Sequence, residues 1–120
     1  MKKFLLMATM LLMFGAVNAQ ISDVQQKGNR LYVYGENNKQ LSFFDLNSSD
    51  EFLGMGSSFY AVKRGNRIYT YDENSKTIAF FDLNSDDIFK SATGNSFNIQ
   101  RGRRIYTYDK NCKQISWRDL

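Results

Sequence analysis

The sequence predicts an all-β fold built from three tandem antiparallel repeats with a period of 37 residues. Residues 65–72 read GNRIYTYD, and related strings return at residues 28–35 (GNRLYVYG) and 102–109 (GRRIYTYD). Each copy then runs through an Asn and a Lys to an Asp-Leu pair. A period of about 20 to 50 residues is typical of a supersecondary unit that buries its apolar face against copies of itself.

Residues 1–19 have the three regions of a secretory signal peptide. Lys2 and Lys3 precede an apolar stretch over residues 4–14, and a small-residue cleavage site ends at Ala19. The apolar stretch is shorter than the roughly 20 residues that a membrane helix needs. We therefore expect cleavage after Ala19 and a secreted or periplasmic protein. Residues 20–120 then form a single all-β repeat domain, with repeats at about residues 20–56, 57–93 and 94–120.

Within the second repeat, three short runs have the composition of strands. Residues 58–63, 68–71 and 77–82 are rich in apolar, β-branched and aromatic side chains, and polar turns separate them. The Gly65-Asn66 pair is expected to supply the positive φ angles of a tight hairpin turn. Each repeat is therefore predicted to be a three-stranded antiparallel meander.

Alternation along these strands indicates that both faces of the sheet are covered. Tyr69 and Tyr71 point to one side of their strand, whereas Ile68 and Thr70 point to the other. Because neither side is consistently polar, we expect the meander to lie between two neighbours.

Polar connections over residues 47–57 and 84–94 join the repeats. They contain one Phe each, Phe52 and Phe89, and are too short for periodicity to define. Either a short fourth strand or a single helical turn is expected there.

Residues 65–83 resemble a blade of the β-propeller proteins. In such a blade, a strand ending in Gly-Asn-Arg-Ile-Tyr is followed by Asp, a turn with Asn and Lys, and a strand that ends in an aromatic residue and Asp-Leu. The resemblance implies sheets stacked as blades, which close into a ring when about 4 to 8 are present. Three repeats leave three arrangements open: two chains combined in one ring, an open blade-like stack, or threefold closure as a trefoil or prism-like barrel. We favour the blade-like stack, whose exposed edge strands predict a homo-oligomer.

The composition excludes several kinds of chemistry. The chain contains no His, which removes Ser-His and Cys-His nucleophile pairs and His-ligated zinc. No phosphate-binding loop, dinucleotide fingerprint or paired-Cys metal motif is present. The net charge of +4 falls to +2 once Lys2 and Lys3 are removed, which gives no indication of a nucleic-acid partner. We expect no cofactor and no catalytic site.

The carboxylates that end each repeat, Asp45, Asp82 and Asp119, are the obvious catalytic candidates. Paired acids hydrolyse glycosides when they lie about 5 to 10 Å apart. A residue repeated in every copy is more typical of a turn cap, which is the role we expect.

A calcium candidate comes from the alternation of Asp82, Asn84 and Asp86, since such spacing begins a calcium-binding loop. Asp87 stands where that loop needs Gly, and Thr93 where it needs Glu, so a solvated polar loop is favoured.

The richest chemical set consists of Arg and Tyr side chains at equivalent positions of the repeats. Recognition surfaces use both residue types, and aromatic rings also stack on sugars. Packing between blades, with the Arg side chains at the strand ends, is the favoured interpretation of the same pattern. The candidate binding residues are Arg30, Tyr32, Tyr34, Arg67, Tyr69, Tyr71, Arg104, Tyr106 and Tyr108.

Cys112 occupies the turn position that Asn38 and Ser75 hold in the other repeats, so we expect it to be exposed. A single Cys in an exported chain is either a free thiol or forms an intermolecular disulfide.

Together these features predict an exported, non-enzymatic repeat module that binds or scaffolds a protein or glycan in the cell envelope or outside the cell. The alternatives are a carboxylate-using glycan-active enzyme or its remnant, and a structural subunit of an oligomeric propeller.

Overall fold

The computed structural model describes residues 19–120. The predicted signal peptide therefore lies outside the described residues, apart from Ala19. Besides a short 3₁₀ turn at Glu36–Asn38, the described part of the chain consists of strands and their connections. The strands are β1 (Asp23–Lys27), β2 (Arg30–Tyr34), β3 (Gln40–Asp45), β4 (Glu51–Met55), β5 (Tyr60–Arg64), β6 (Arg67–Tyr71), β7 (Thr77–Asp82), β8 (Ile88–Thr93), β9 (Ser96–Arg101), β10 (Arg104–Asp109) and β11 (Gln114–Asp119).

The strands form three antiparallel sheets, which we call blades 1, 2 and 3. Blade 1 has the strand order β1-β2-β3, blade 2 has β4-β5-β6-β7 and blade 3 has β8-β9-β10-β11. None of these sheets closes into a barrel. The predicted all-β class and blade-like stack are confirmed, and the described residues do not form the alternative barrel with threefold closure.

A turn that begins with Gly forms one hairpin in each blade, namely β1-β2, β5-β6 and β9-β10. Gly28, Gly65 and Gly102 have φ angles of 60°, 62° and 61°. The Asn or Arg that follows each Gly has no positive φ, so each turn needs only one left-handed residue, as in a type II′ turn. The predicted positive φ angle is therefore confirmed for Gly65 and wrong for Asn66.

The connections between repeats contain a fourth strand, which settles the alternative left open by the sequence. Residues 51–55 form β4, and β4 pairs with β5 of the following meander. Strand β8 pairs with β9 in the same way. Blades 2 and 3 are therefore four-stranded, and the three-stranded prediction holds only for the described part of blade 1.

Two apolar clusters hold the blades together. The first core lies between blades 1 and 2 and includes Leu31, Val33 and Val62. The second core lies between blades 2 and 3 and includes Ile68 and Ile99. Because side chains alternate along β6, Tyr71 faces the first core while Ile68 faces the second. The middle blade is thus covered on both faces, as predicted.

The blades contact one another along one strand of each blade, β1, β4 and β8, which we call the inner strands. Strand β4 contacts both β1 and β8. A hydrogen bond of 2.7 Å runs from Ile21 N to Ser57 O, and one of 2.9 Å runs from Ser57 N to Gly94 O. A Cβ atom on Gly56 would lie 2.2 Å from Gly94 O, so only Gly permits this approach between blades 2 and 3. The blades therefore form a fan that meets along β1, β4 and β8.

Candidate binding surface

The outer edge of each blade, formed by β3, β7 or β11, carries one cluster of three side chains. In blade 1, Arg30 at the start of β2 lies directly across from Asp45 at the end of β3. Arg30 Nε donates to Asp45 Oδ1 at 2.7 Å, and the guanidinium lies 4.2 Å from the ring centroid of Phe43. The ion pair holds the planar guanidinium against the ring, where a cation–π contact is favourable.

The same cluster recurs in the other two blades because the strand register is the same. Arg67 Nε lies 2.7 Å from Asp82 Oδ1, and its guanidinium is 4.4 Å from the centroid of Phe80. In blade 3, Arg104 Nε lies 3.1 Å from Asp119 Oδ1, and the guanidinium is 4.1 Å from the Trp117 ring. We call the three clusters the outer ladder: Arg30, Phe43 and Asp45; Arg67, Phe80 and Asp82; Arg104, Trp117 and Asp119.

Half of each ladder aromatic is open to solvent. Phe43, Phe80 and Trp117 are 48%, 49% and 49% exposed. Phe43 has no neighbouring blade on its side among the described residues, yet its exposure matches the other two, so a neighbouring blade does not reach this position. One large aromatic side chain therefore stands half exposed at the equivalent place in each blade, and aromatic residues are enriched at binding surfaces.

The ladder arginines are charged at any physiological pH, and their hydrogen-bond partners further favour the charged form. The pKa of Arg30 is raised mainly by its hydrogen bond to Asp45. The pKa values of Arg67 and Arg104 are raised first by hydrogen bonding to Tyr69 and Tyr106, and then by Asp82 and Asp119. Each cluster therefore presents a guanidinium group, paired with a carboxylate, beside an aromatic ring.

The predicted tyrosines divide between core and surface. Tyr71 and Tyr108 are 2% and 8% exposed and lie in the two cores, so we exclude both from the candidate surface. Tyr71 lies 4.5 Å from Phe44 and Tyr108 lies 4.7 Å from Phe81, measured between ring centroids. The remaining tyrosines, Tyr32, Tyr34, Tyr69 and Tyr106, are half-buried. Of the predicted set, the three arginines belong to the outer ladder.

The prediction that Asp45, Asp82 and Asp119 cap turns is wrong, since each is ion-paired with an Arg across the hairpin. Turn capping falls to other aspartates. Asp72 Oδ1 accepts hydrogen bonds from Asn74 N at 2.9 Å and Lys76 N at 3.0 Å. Asp109 makes the equivalent bonds in blade 3.

Two ion pairs with buried carboxylates were not predicted from the sequence. Arg101 Nε lies 2.8 Å from Asp87 Oδ1, and the Asp87 side chain is fully buried. Arg64 pairs with Asp50 in the same way, 3.2 Å apart, in blade 2. The hydrogen bond from Arg101 is the main reason that the pKa of Asp87 is lowered. These pairs anchor the connections that precede β4 and β8, and their 37-residue spacing was a signal in the sequence.

The calcium candidate gains no support from the geometry. The Asp82 carboxylate binds Arg67, and the neighbouring Asp87 turns inward to Arg101. Within residues 19–120, no three His, Cys, Asp or Glu side chains are placed to hold a metal ion together.

Cys112 is half-buried, which corrects the expectation of an exposed thiol. It packs against the second core, and burial raises the pKa of its thiol to about 11. Its φ of 62° matches Asn38 (60°) and Ser75 (61°), so this turn position is left-handed in all three repeats without a Gly.

A cleft of about 330 Å³ lies at the ends of the inner strands, away from the outer ladder. Its lining includes Gln20, Ser57 and Asn95 from all three blades, and it shares no residue with the ladder.

No α-helix in the described residues has the length and apolar character needed to cross a membrane. In comparisons with known proteins, no family model matches this chain. No curated protein sequence matches it either.

Proposed function

We propose that this chain is an exported, non-enzymatic module that binds an extended polymer along its outer ladder, in the cell envelope or outside the cell. The carrying observation is the repeated cluster of one half-exposed aromatic ring fixed by one Arg–Asp pair in every blade. Export is supported by the features of residues 1–19, and the binding role by the ladder.

A glycan fits this surface better than a folded protein domain does. Equivalent subsites repeated from blade to blade suit a ligand whose own chemistry repeats. The apolar face of a sugar ring stacks on an aromatic side chain, and its hydroxyl groups can accept from Arg or donate to Asp. Several weak subsites on one chain also raise the overall affinity for a polymer through effective concentration.

A catalytic role for the ladder carboxylates is less consistent with their surroundings. The side chains of Asp45, Asp82 and Asp119 are 65%, 72% and 71% exposed, and each is occupied by an Arg. A catalytic acid is tuned by a dry, apolar pocket, which these positions do not offer. We therefore propose binding without turnover.

Trp117 provides a direct test, because it is the single Trp of the chain and belongs to the ladder. Its fluorescence is followed while the protein, without residues 1–19, is titrated with soluble polysaccharides and, separately, with unfolded peptides. We expect a saturable change with at least one polysaccharide and no release of reducing sugar.

Phe80→Ala should weaken that binding by roughly tenfold, the loss expected for one aromatic contact of about 1.4 kcal/mol. The matched control is Ile88→Ala, since Ile88 is 52% exposed and lies outside the ladder. Equal losses in the two variants, binding to peptides alone, or no binding at all would overturn the proposal.

A further inference from the structure

The two interfaces between blades repeat one contact. Between blades 1 and 2, the Phe44 ring lies 6.4 Å from Tyr60 and 4.5 Å from Tyr71, measured between centroids. Between blades 2 and 3, the Phe81 ring lies 5.9 Å from Phe97 and 4.7 Å from Tyr108. An aromatic side chain on the outer strand of one blade thus meets two aromatic side chains on the next.

On the open face of blade 3, this position is occupied by Arg118. Arg118 pairs in register with Ile105, as Phe81 pairs with Ile68. Its side chain therefore points away from blade 2. Arg30, Arg64, Arg67, Arg101 and Arg104 each form an ion pair, whereas Arg118 forms none within the described part of the chain.

The open face of blade 1 carries the matching changes. Repeat spacing places Asp23 where blades 2 and 3 have Tyr60 and Phe97. Asp23 pairs in register with Tyr34, the equivalent of Tyr71, and both point away from the first core. A third interface of the same geometry would place Arg118 against the Asp23 carboxylate and the Tyr34 ring.

Two apolar side chains on the same face of blade 3 are also exposed. Ile115 and Leu120 are 58% and 62% exposed. Their equivalents in blade 2, Ile78 and Leu83, pack against the second core.

We infer that the open face of blade 3 binds the open face of blade 1 of a second copy of this chain, with Arg118 facing Asp23 and Tyr34. An Arg–Asp pair and a cation–π contact replace the aromatic contacts of the internal interfaces. Two such contacts, related by a twofold axis, join the three blades described for each chain into a ring of six, within the range of about 4 to 8 that closes. The outer ladder stays free in this dimer, since blade neighbours leave Phe80 and Trp117 half exposed.

The mass in solution tests this inference. The 101 residues after Ala19 have a mass of about 12 kDa, in proportion to 13.9 kDa for 120 residues. Size-exclusion chromatography with light scattering should give twice that mass. A monomer, or a mass that keeps growing with concentration, would overturn the six-bladed dimer.

Charge reversal identifies the contact. Arg118→Asp and Asp23→Arg should each weaken the dimer by roughly tenfold or more, because like charges then meet at the interface. The double variant restores an opposite-charge pair and should restore the dimer. Arg103→Asp is the matched control, since Arg103 is an exposed turn residue and not a member of this face.

Circular dichroism confirms that each variant is folded. Association that is insensitive to Arg118→Asp, or equally sensitive to Arg103→Asp, would contradict the assigned face. Insensitivity would point instead to pairing through edge strands.

Discussion

Truncation of Phe97 to Ala should remove much of the stability that joins blades 2 and 3. The ring is fully buried, and its centroid lies 6.0 Å from Phe59, 5.9 Å from Phe81, 5.8 Å from Phe89 and 5.6 Å from Tyr108. Phe-to-Ala changes in cores cost about 3 to 5 kcal/mol. This is a large part of the roughly 5 to 15 kcal/mol by which small domains are stable.

Thermal unfolding followed by far-ultraviolet circular dichroism measures the effect. At roughly 4 to 8 °C for each kcal/mol, a loss of about 3 kcal/mol lowers the Tm by at least about 12 °C. Phe43→Ala is the matched control, because Phe43 is 48% exposed and should cost no more than about 1 kcal/mol. Similar Tm values for the two variants would refute the assignment of Phe97 to the second core.

Three further predictions concern the backbone at Gly56, the loss of stability at acid pH and the Cys112 thiol. Gly56→Ala should lower the free energy of unfolding by about 1 to 3 kcal/mol, because the added Cβ would lie 2.2 Å from Gly94 O. Urea unfolding measures this loss, and an unchanged midpoint would contradict the close approach. Arg101 lowers the pKa of Asp87 in the folded protein. The Asp87–Arg101 pair therefore stabilises the fold fully above the Asp87 pKa of the unfolded chain, about 4, and this contribution is lost as the pH falls through the lower pKa of the folded protein. Asp87→Asn should therefore flatten the fall in Tm below about pH 4, and an unaltered acid limb would argue against the pair. Because burial raises the pKa of the Cys112 thiol to about 11, Cys112 should react with Ellman's reagent at pH 8 roughly tenfold more slowly in the native protein than in urea. Comparable rates would mean that the thiol is exposed.

Much of the fold could be predicted because turn residues mark the strand ends. The Gly-Asn pair at Gly65 ends one strand and begins the next, and the observed bounds of β6 and β7 agree closely with the prediction. The fourth strand could not be decided, since β4 has five residues and its register with β5 shifts between Phe52 and Gly54.

The candidate surface was predicted only in part. Arg67 was identified, but its partner Phe80 was not, because Phe80 and Phe81 are adjacent and alternation alone does not tell which of them shares a face with Arg67. The cross-strand pairing places Phe80 opposite Tyr69, on the face that carries Arg67, and Phe81 opposite Ile68, on the other face. The pairing of Arg67 with Asp82 likewise explains why Asp82 binds Arg and does not cap a turn.

The central claim is that homologous blades pack face to face through equivalent aromatic contacts. Nuclear Overhauser effects between ring protons test it most directly, in protein with assigned aromatic resonances. We predict strong effects for Phe44 with Tyr71 and for Phe81 with Tyr108, whose centroids lie 4.5 and 4.7 Å apart. Absence of both effects in the folded protein would contradict the stacked arrangement.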